Sequence, residues 1–293
     1  MMRTLKGHSG AVRCLAYSPN GETLASSGDD HAILLWTRRG EPCGRFATHT
    51  DWVRAIAFSP DGKLLASASW DDTVIVWNLA RQKLQVQTGG YAGGAWSLAF
   101  ATDGSLATGA GDGTVRLYRV PKDRNPLTLR AHRWPVSSLK FAPDGRTLLT
   151  ASHDQTIKLW ETAWGREQGV LTGHGDWVRS VSVGPSNSLA ASAGDDGRVL
   201  IWNYREKTRI GKLEGHVGPV ANALFCPDGR SVLSVGWDGS ARLWDARIGR
   251  MRTANQWDDG RLLSLAIAPD GMTAATGGET GTVTVWDLDY LDG

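Results

Sequence analysis

Residues 47–77 read ATHTDWVRAIAFSPDGKLLASASWDDTVIVW, and their reading decides the fold. Val53, Ile56 and Phe58 form a short apolar segment bounded by turn residues. Ser59-Pro60-Asp61-Gly62 follows, with proline and glycine placed for a tight turn. Leu64-Leu65-Ala66-Ser67-Ala68 is a second predicted strand, and Trp70-Asp71-Asp72 reverses the chain. Thr73-Val74-Ile75-Val76-Trp77 is a third, rich in β-branched and aromatic residues. A fourth falls in the more variable stretch around Leu84-Gln85-Val86. No segment has a helical period, so the unit is one antiparallel sheet of four short strands.

Working outward, the unit recurs. Trp36, Trp77, Trp160, Trp202, Trp244 and Trp286 fall at steps of 41 or 42 residues, with Tyr118 filling the one gap. The turn recurs at Pro19-Asn20-Gly21, Asp103-Gly104, Pro143-Asp144-Gly145, Pro227-Asp228-Gly229 and Pro269-Asp270-Gly271; the fifth copy departs, with Pro185-Ser186-Asn187. A fixed period of this length marks a repeat architecture. Seven copies account for residues 1–293 as one unit, with nothing left over for a second domain. Sheets apolar on both faces bury those faces best by packing around an axis, so the expected fold is all-β: a seven-bladed β-propeller with four-stranded antiparallel blades. A sandwich is the runner-up, but it does not explain the strict period.

These residues resemble the WD-repeat (WD40) family over essentially the whole chain. Gly7-His8, Gly173-His174 and Gly215-His216 match its Gly-His signature, and Trp244-Asp245 and Trp286-Asp287 match the dipeptide that names it. The resemblance implies a ring closed by the N-terminus: Arg3-Thr4-Leu5 becomes the outer strand of the last blade, which has only seven residues after Trp286 and lacks a fourth strand of its own. It also implies a hydrogen-bonded set inside each blade. Those sets are His8, Ser26, Asp30 and Trp36; His49, Ser67, Asp71 and Trp77; His132, Thr150, Asp154 and Trp160; His174, Ser192, Asp196 and Trp202; and His216, Ser234, Asp238 and Trp244. One Ser-His-Asp group would raise the question of a hydrolase. Five copies around a ring point instead to structure, because buried indole, hydroxyl and imidazole groups each need a partner. The third blade departs with Tyr91, Thr108, Asp112 and Tyr118, and the seventh with Asp258, Thr276, Thr280 and Trp286. Having lost His and Asp together, and being the closure blade, the seventh is expected to be the least stable.

Composition narrows the function. Net charge is +2, with 32 basic and 30 acidic residues interspersed, which gives no basic patch for nucleic acid or an anionic membrane. Cys14, Cys43 and Cys226 lie in three different repeats and fit reduced thiols better than a disulfide framework. The start MMRTLKGHSG has no apolar core of a signal peptide, and no apolar run is long enough to span a membrane. Cytoplasm is the expected location. Gly109-Ala110-Gly111-Asp112-Gly113 is glycine-rich but has no following helix, as a phosphate loop requires. No metal site and no cofactor is expected.

Eight of the 14 tryptophans lie outside the regular series: Trp52, Trp70, Trp96, Trp134, Trp164, Trp177, Trp237 and Trp257. The family resemblance implies that all but Trp164 map to the top face around the channel mouth. Arg13, Arg54, Arg179 and Arg261 occupy first-strand slots there, and Asp29, Asp195 and Glu279 occupy turn slots. Asp-Trp-Val-Arg appears at both 51–54 and 176–179, on blades three steps apart. Tryptophan and arginine dominate binding hot spots, and a large exposed apolar patch signals a partner. The reading is a non-enzymatic scaffold that grips a protein or peptide segment, proline-rich or cationic, on this face. Two alternatives stand beside it. One is a small-molecule or catalytic propeller using Asp29, Asp195, Glu279 and His153. The other is an architectural subunit that makes its contacts through the blade edges. A further possibility is that the arginines and tryptophans only plug the channel mouth.

Overall fold

The computed structural model describes residues 2–119, 125–257 and 260–288. Their strands pair into seven four-stranded antiparallel sheets. In blade 2 the strands are Val53–Phe58, Leu64–Ser69, Val74–Asn78 and Lys83–Thr88, ordered from the inside outwards. The other inner strands are Val12–Tyr17, Ala95–Phe100, Val136–Phe141, Val178–Val183, Val220–Phe225 and Leu262–Ile267, and they number blades 1 and 3 to 7. Blade 7 is completed by Met2–Lys6, which pairs antiparallel with Thr282–Asp287 and sets Leu5 opposite Val283. The closure expected from the resemblance is therefore the one observed.

The turn chemistry explains why the hairpins form where they do. In blade 2 the Ser59 hydroxyl donates to Asp61 Oδ1 at 2.6 Å, and Lys63 N donates to the same oxygen at 3.1 Å. Gly62 then takes φ 68°, which a side chain would resist. The fifth blade places Asn187 at this position with φ 52°, and the Tyr204 hydroxyl donates to its side-chain carbonyl at 2.8 Å. Asparagine tolerates the left-handed region, so the departure in sequence preserves the turn.

The core lies in the seams between blades. One seam joins Ala25, Ile33, Leu35 and Phe46 of blade 1 to Val53, Ile56, Leu65, Ile75 and Trp77 of blade 2. Phe46 stacks on Trp77 with ring centroids 4.5 Å apart. Each large apolar side chain so buried is worth about 1.5–3 kcal/mol, which is why seven modest sheets hold a ring.

The five implied polar sets are all formed. In blade 2 Trp77 Nε1 donates to Ser67 Oγ at 3.0 Å, Ser67 Oγ meets His49 Nε2 at 2.7 Å, and His49 Nδ1 meets Asp71 at 2.7 Å. A carboxylate only accepts, so Nδ1 carries the proton and Nε2 accepts from the serine. His8, His132, His174 and His216 repeat the pattern with Ser26 and Asp30, Thr150 and Asp154, Ser192 and Asp196, and Ser234 and Asp238. Trp36, Trp160, Trp202 and Trp244 cap those sets. In blade 3 a hydroxyl chain stands in: Thr108 donates to Tyr91, and the Tyr91 and Tyr118 hydroxyls lie 2.7 Å apart. Blade 7 is barer. Among the described residues, Thr276 Oγ1 reaches only a backbone carbonyl, at 3.4 Å, and buried Trp286 Nε1 has no partner. Asp258 lies outside the described residues.

Candidate functional site

The top-face site begins with a backbone irregularity. In every inner strand the register with its neighbour shifts between the first and third residues. A bulge of this kind re-aims the residue it leaves unpaired. Those residues are Arg13, Arg54, Trp96, Ser137, Arg179, Ala221 and Leu263, and all seven line a central cavity of 440 Å³. A second ring comes from the tight turn after each second strand. The residue just before the turn aspartate, or its counterpart, is Asp29, Trp70, Gly111, His153, Asp195, Trp237 and Glu279 in blades 1 to 7. His153, which looks out of phase with the structural histidines, is in phase with this slot.

The two rings interlock. Trp52 stacks on Trp70 at 4.6 Å, Trp70 tilts against Trp96 at 5.3 Å, Trp96 meets the edge of His153 at 5.2 Å, and His153 stacks on Trp177 at 4.2 Å. One aromatic arc thus runs from blade 2 to blade 5. Arginines extend it. The Arg13 guanidinium lies 5.0 Å from the Trp52 ring, while Arg54 lies 5.2 Å from Trp70 and 4.9 Å from Trp96. Trp237 is clamped between Arg179 and Arg261, each 4.7 Å from its ring.

The acids serve the arginines. Asp29 takes both arms of Arg13, at 2.7 and 2.6 Å, and Asp195 takes both arms of Arg179. Glu279 sits 3.8 Å from Arg261. Arg54 follows the same strand position as Arg13 and Arg179, but its blade carries Trp70 where theirs carry aspartate. It therefore stacks on indoles and makes no ion pair among the described residues. Burial, with Arg13 and Arg179 nearby, pushes its pKa down to about 10. The same enclosure pushes the His153 pKa down to about 4, with Arg179 and Arg54 adding to the effect, so the ring is neutral at pH 7.

The structure brings together every residue of the expected top-face set: Arg13, Asp29, Trp52, Arg54, Trp70, Trp96, His153, Trp177, Arg179, Asp195, Trp237, Arg261 and Glu279. Trp134 is 60% exposed on its own loop and Trp164 is 69% exposed, and neither joins the arc. Trp257 differs from expectation. It packs 5.2 Å from Trp286 and against the apolar seam there, half-buried, and so serves the fold of blade 7. The acids proposed for a catalytic alternative are dispersed around the ring and held by guanidinium groups. Among the described residues no cluster of three or more metal-ligating side chains occurs. Cys14, Cys43 and Cys226 are free thiols. Two groups that sequence reasoning passed over also face the channel: Lys140 and Asn222.

A seven-bladed ring with a Trp-Ser/Thr-His-Asp set in five blades defines a WD-repeat propeller, and the chain belongs to that family. Residues 1–163 match the family model described as IFT122 first beta-propeller, and residues 165–203, 207–245 and 252–287 match WD domain, G-beta repeat. Among characterised proteins, the chain is 54% identical over 44 residues to the U5 small nuclear ribonucleoprotein 40 kDa protein of Pongo abelii, and 52% identical over 44 residues to that of Homo sapiens. Each of these matches spans 15% of this chain and 12% of the relative. It is 37% identical over 51 residues to the Intraflagellar transport protein 122 homolog of Xenopus tropicalis, covering 17% of this chain and 4% of that protein. The matches thus span a small part of these relatives' length. No helix among the described residues is long and apolar enough to cross a membrane.

Proposed function

We propose that the protein is a non-enzymatic interaction scaffold that grips a protein or peptide segment on the Trp/Arg-rich top face. The observation that carries this reading is the aromatic arc from Trp52 to Trp177 at the rim of the channel. Its rings are held by stacking and by guanidinium contacts before any ligand arrives. Binding to a preorganised surface avoids much of the ordering cost of association. Trp177 keeps 43% of its surface exposed, leaving a flat face for a partner. Relatives named for a ribonucleoprotein and for a transport system fit a component of assemblies.

The indole faces favour one partner chemistry over another. Arg13, Arg54, Arg179 and Arg261 already cover rings that a cationic side chain would need. An extended segment carrying apolar or proline side chains against Trp177 fits better than a cationic one. Free thiols suit the reducing cytoplasm expected from the sequence.

The test is a triple variant, Trp52→Ala, Trp70→Ala and Trp177→Ala, compared with the intact protein in affinity capture from the source cell. Capture of a specific partner should be lost while circular dichroism and melting still report a folded ring. Undiminished capture by the folded triple variant would refute the assignment of this face.

A further inference from the structure

Below the rim, the channel has a charge pattern of its own. Counting along the inner strands, the fifth residue is Ala16, Ala57, Ala99, Lys140, Ser182, Leu224 and Ala266 in blades 1 to 7. All seven take the same register with the second strand, Lys140 opposite Leu149 as Ala57 is opposite Ala66. Alanine in four blades and Ser182 in a fifth leave the room into which a single lysine reaches. Arg54, the one rim arginine without a carboxylate, lines the same cavity. Neither Lys140 nor Arg54 has an ion-pair partner among the described residues. Of the residues described, no aspartate or glutamate lines the cavity, while Arg13, Arg54, Lys140 and Arg179 do. Asn222 also lines the cavity, and its buried side-chain oxygen has no hydrogen-bond partner among the described residues.

We propose that this channel is an oxyanion site, in which Arg54 and Lys140 receive a phosphate or a carboxylate between them. The argument is one of charge balance across the channel. Arg13 and Arg179 oppose the charge on Arg54, and Lys140 lines the same cavity without a carboxylate; an entering oxyanion supplies a counter-charge and accepts charge-assisted hydrogen bonds. The protein shows in its own rim what happens where an acid is present: Arg13 and Arg179 each take one bidentately. Burial, with Arg13 and Arg179 nearby, holds the Arg54 pKa below its ordinary range, as expected of a cation without an ion pair of its own. The ligand arrives either as a free phosphate or as an acidic side chain of a docked segment. In the second case the inference rests on the top-face reading above.

The test uses the whole protein and two probes, inorganic phosphate and the capped dipeptide acetyl-Glu-Glu-amide. Each is titrated against sodium chloride at equal ionic strength. Melting temperature and intrinsic fluorescence are read together, since Trp96 lines the cavity beside Arg54. One or both probes should raise the melting temperature beyond chloride and change the emission. Arg54→Gln and Lys140→Ala should each weaken that response by about tenfold or more, as loss of a charge-assisted contact implies. Lys140→Ala installs the residue found in four other blades, so it separates loss of binding from loss of fold. A response to phosphate alone identifies a free anion, and a response to the dipeptide alone identifies an acidic segment. No response beyond chloride to either probe overturns the site, as does an undiminished response in both variants. Failure here leaves the top-face reading intact, because that reading is tested by capture on the tryptophan variants.

Discussion

At the scale of single residues, the arrangement turns on what occupies one turn slot. Aspartate there pairs the bulged arginine, as at Asp29 and Asp195, whereas Trp70 leaves Arg54 to stack. His153 in the same slot stacks on Trp177 with its ring planes within 5°. Its environment makes a pH prediction. The folded-state pKa of about 4 lies below the ordinary 6.5, so between those values the unfolded chain holds more protons than the folded one. The stabilising effect is whole above pH 6.5 and is lost as pH falls toward 4. The loss is at most about 3 kcal/mol over that range. His153→Phe keeps a flat ring but cannot titrate. Urea unfolding of both proteins at pH 7, 5.5 and 4.5 should therefore show a shallower loss of stability in the variant. His49 and His216, also held down by burial, are common to both proteins and cancel in the comparison. The turn aspartates act in a lower window, since Asp154 is held at about 2. Parallel pH profiles for the two proteins would show that His153 carries no such linkage.

At the scale of the blade, the repeat made most of the fold legible in the sequence, and for a physical reason. A strand period of 2, a Pro-Asp-Gly turn in four copies and a Trp in six of seven, with Tyr118 completing the steps of 41 or 42 residues, are local signals, so a departure in one copy is read against the rest. The polar sets were legible in the same way. The partnering within the rim was not, because contacts such as Arg54 with Trp96 join different blades and depend on the bulge that aims them. Lys140 had a signal, an alanine position filled by lysine, but only the channel gives that signal meaning. Trp257 was misplaced because a tryptophan next to the missing histidine looks like a surface addition, whereas its ring packs on Trp286. These details bear on blade 7. Trp286 Nε1 is buried without a partner among the described residues, and an unsatisfied buried donor costs about 1–3 kcal/mol. The blade also gains its outer strand from the distant Met2–Lys6 segment. Backbone amides of Thr273–Gly278 should therefore exchange with deuterium faster than those of Leu64–Ser69, their counterparts in blade 2, whose Trp77-Ser67-His49-Asp71 set is complete. Slower exchange in Thr273–Gly278 would show that seam packing outweighs the missing polar set.

At the scale of the whole ring, stability depends on a strand pairing between residues far apart in sequence, Met2–Lys6 with Thr282–Asp287. Leu5 on the closing strand is buried with Leu15, Leu24 and Trp36 of blade 1 and Val283 of blade 7. It has counterparts at Phe46, Leu129, Leu171 and Leu213, each on an outer strand three residues before the histidine of its set. In those blades the outer strand follows its own third strand directly in sequence. For Leu5 the partner strand Thr282–Asp287 is at the far end of the chain, so closing the ring carries a larger loop entropy. If the ring unfolds as one cooperative unit, truncation at the closure is felt globally. Leu5→Ala should then cost about 2–4 kcal/mol, the range for a buried Leu truncated to Ala. Leu213→Ala, buried in the seam next to blade 6, should cost a similar amount. The distinction lies in how the two fail. Leu5→Ala should lower amide protection in Thr282–Asp287 first, because that strand loses its only covering neighbour on one edge. Leu213→Ala should leave the closure protected until the whole ring opens. Denaturant titration with hydrogen exchange on both variants reads these outcomes. A cost below about 0.5 kcal/mol for Leu5→Ala, the range of an uninvolved surface change, would mean that the closing strand stands outside the cooperative fold.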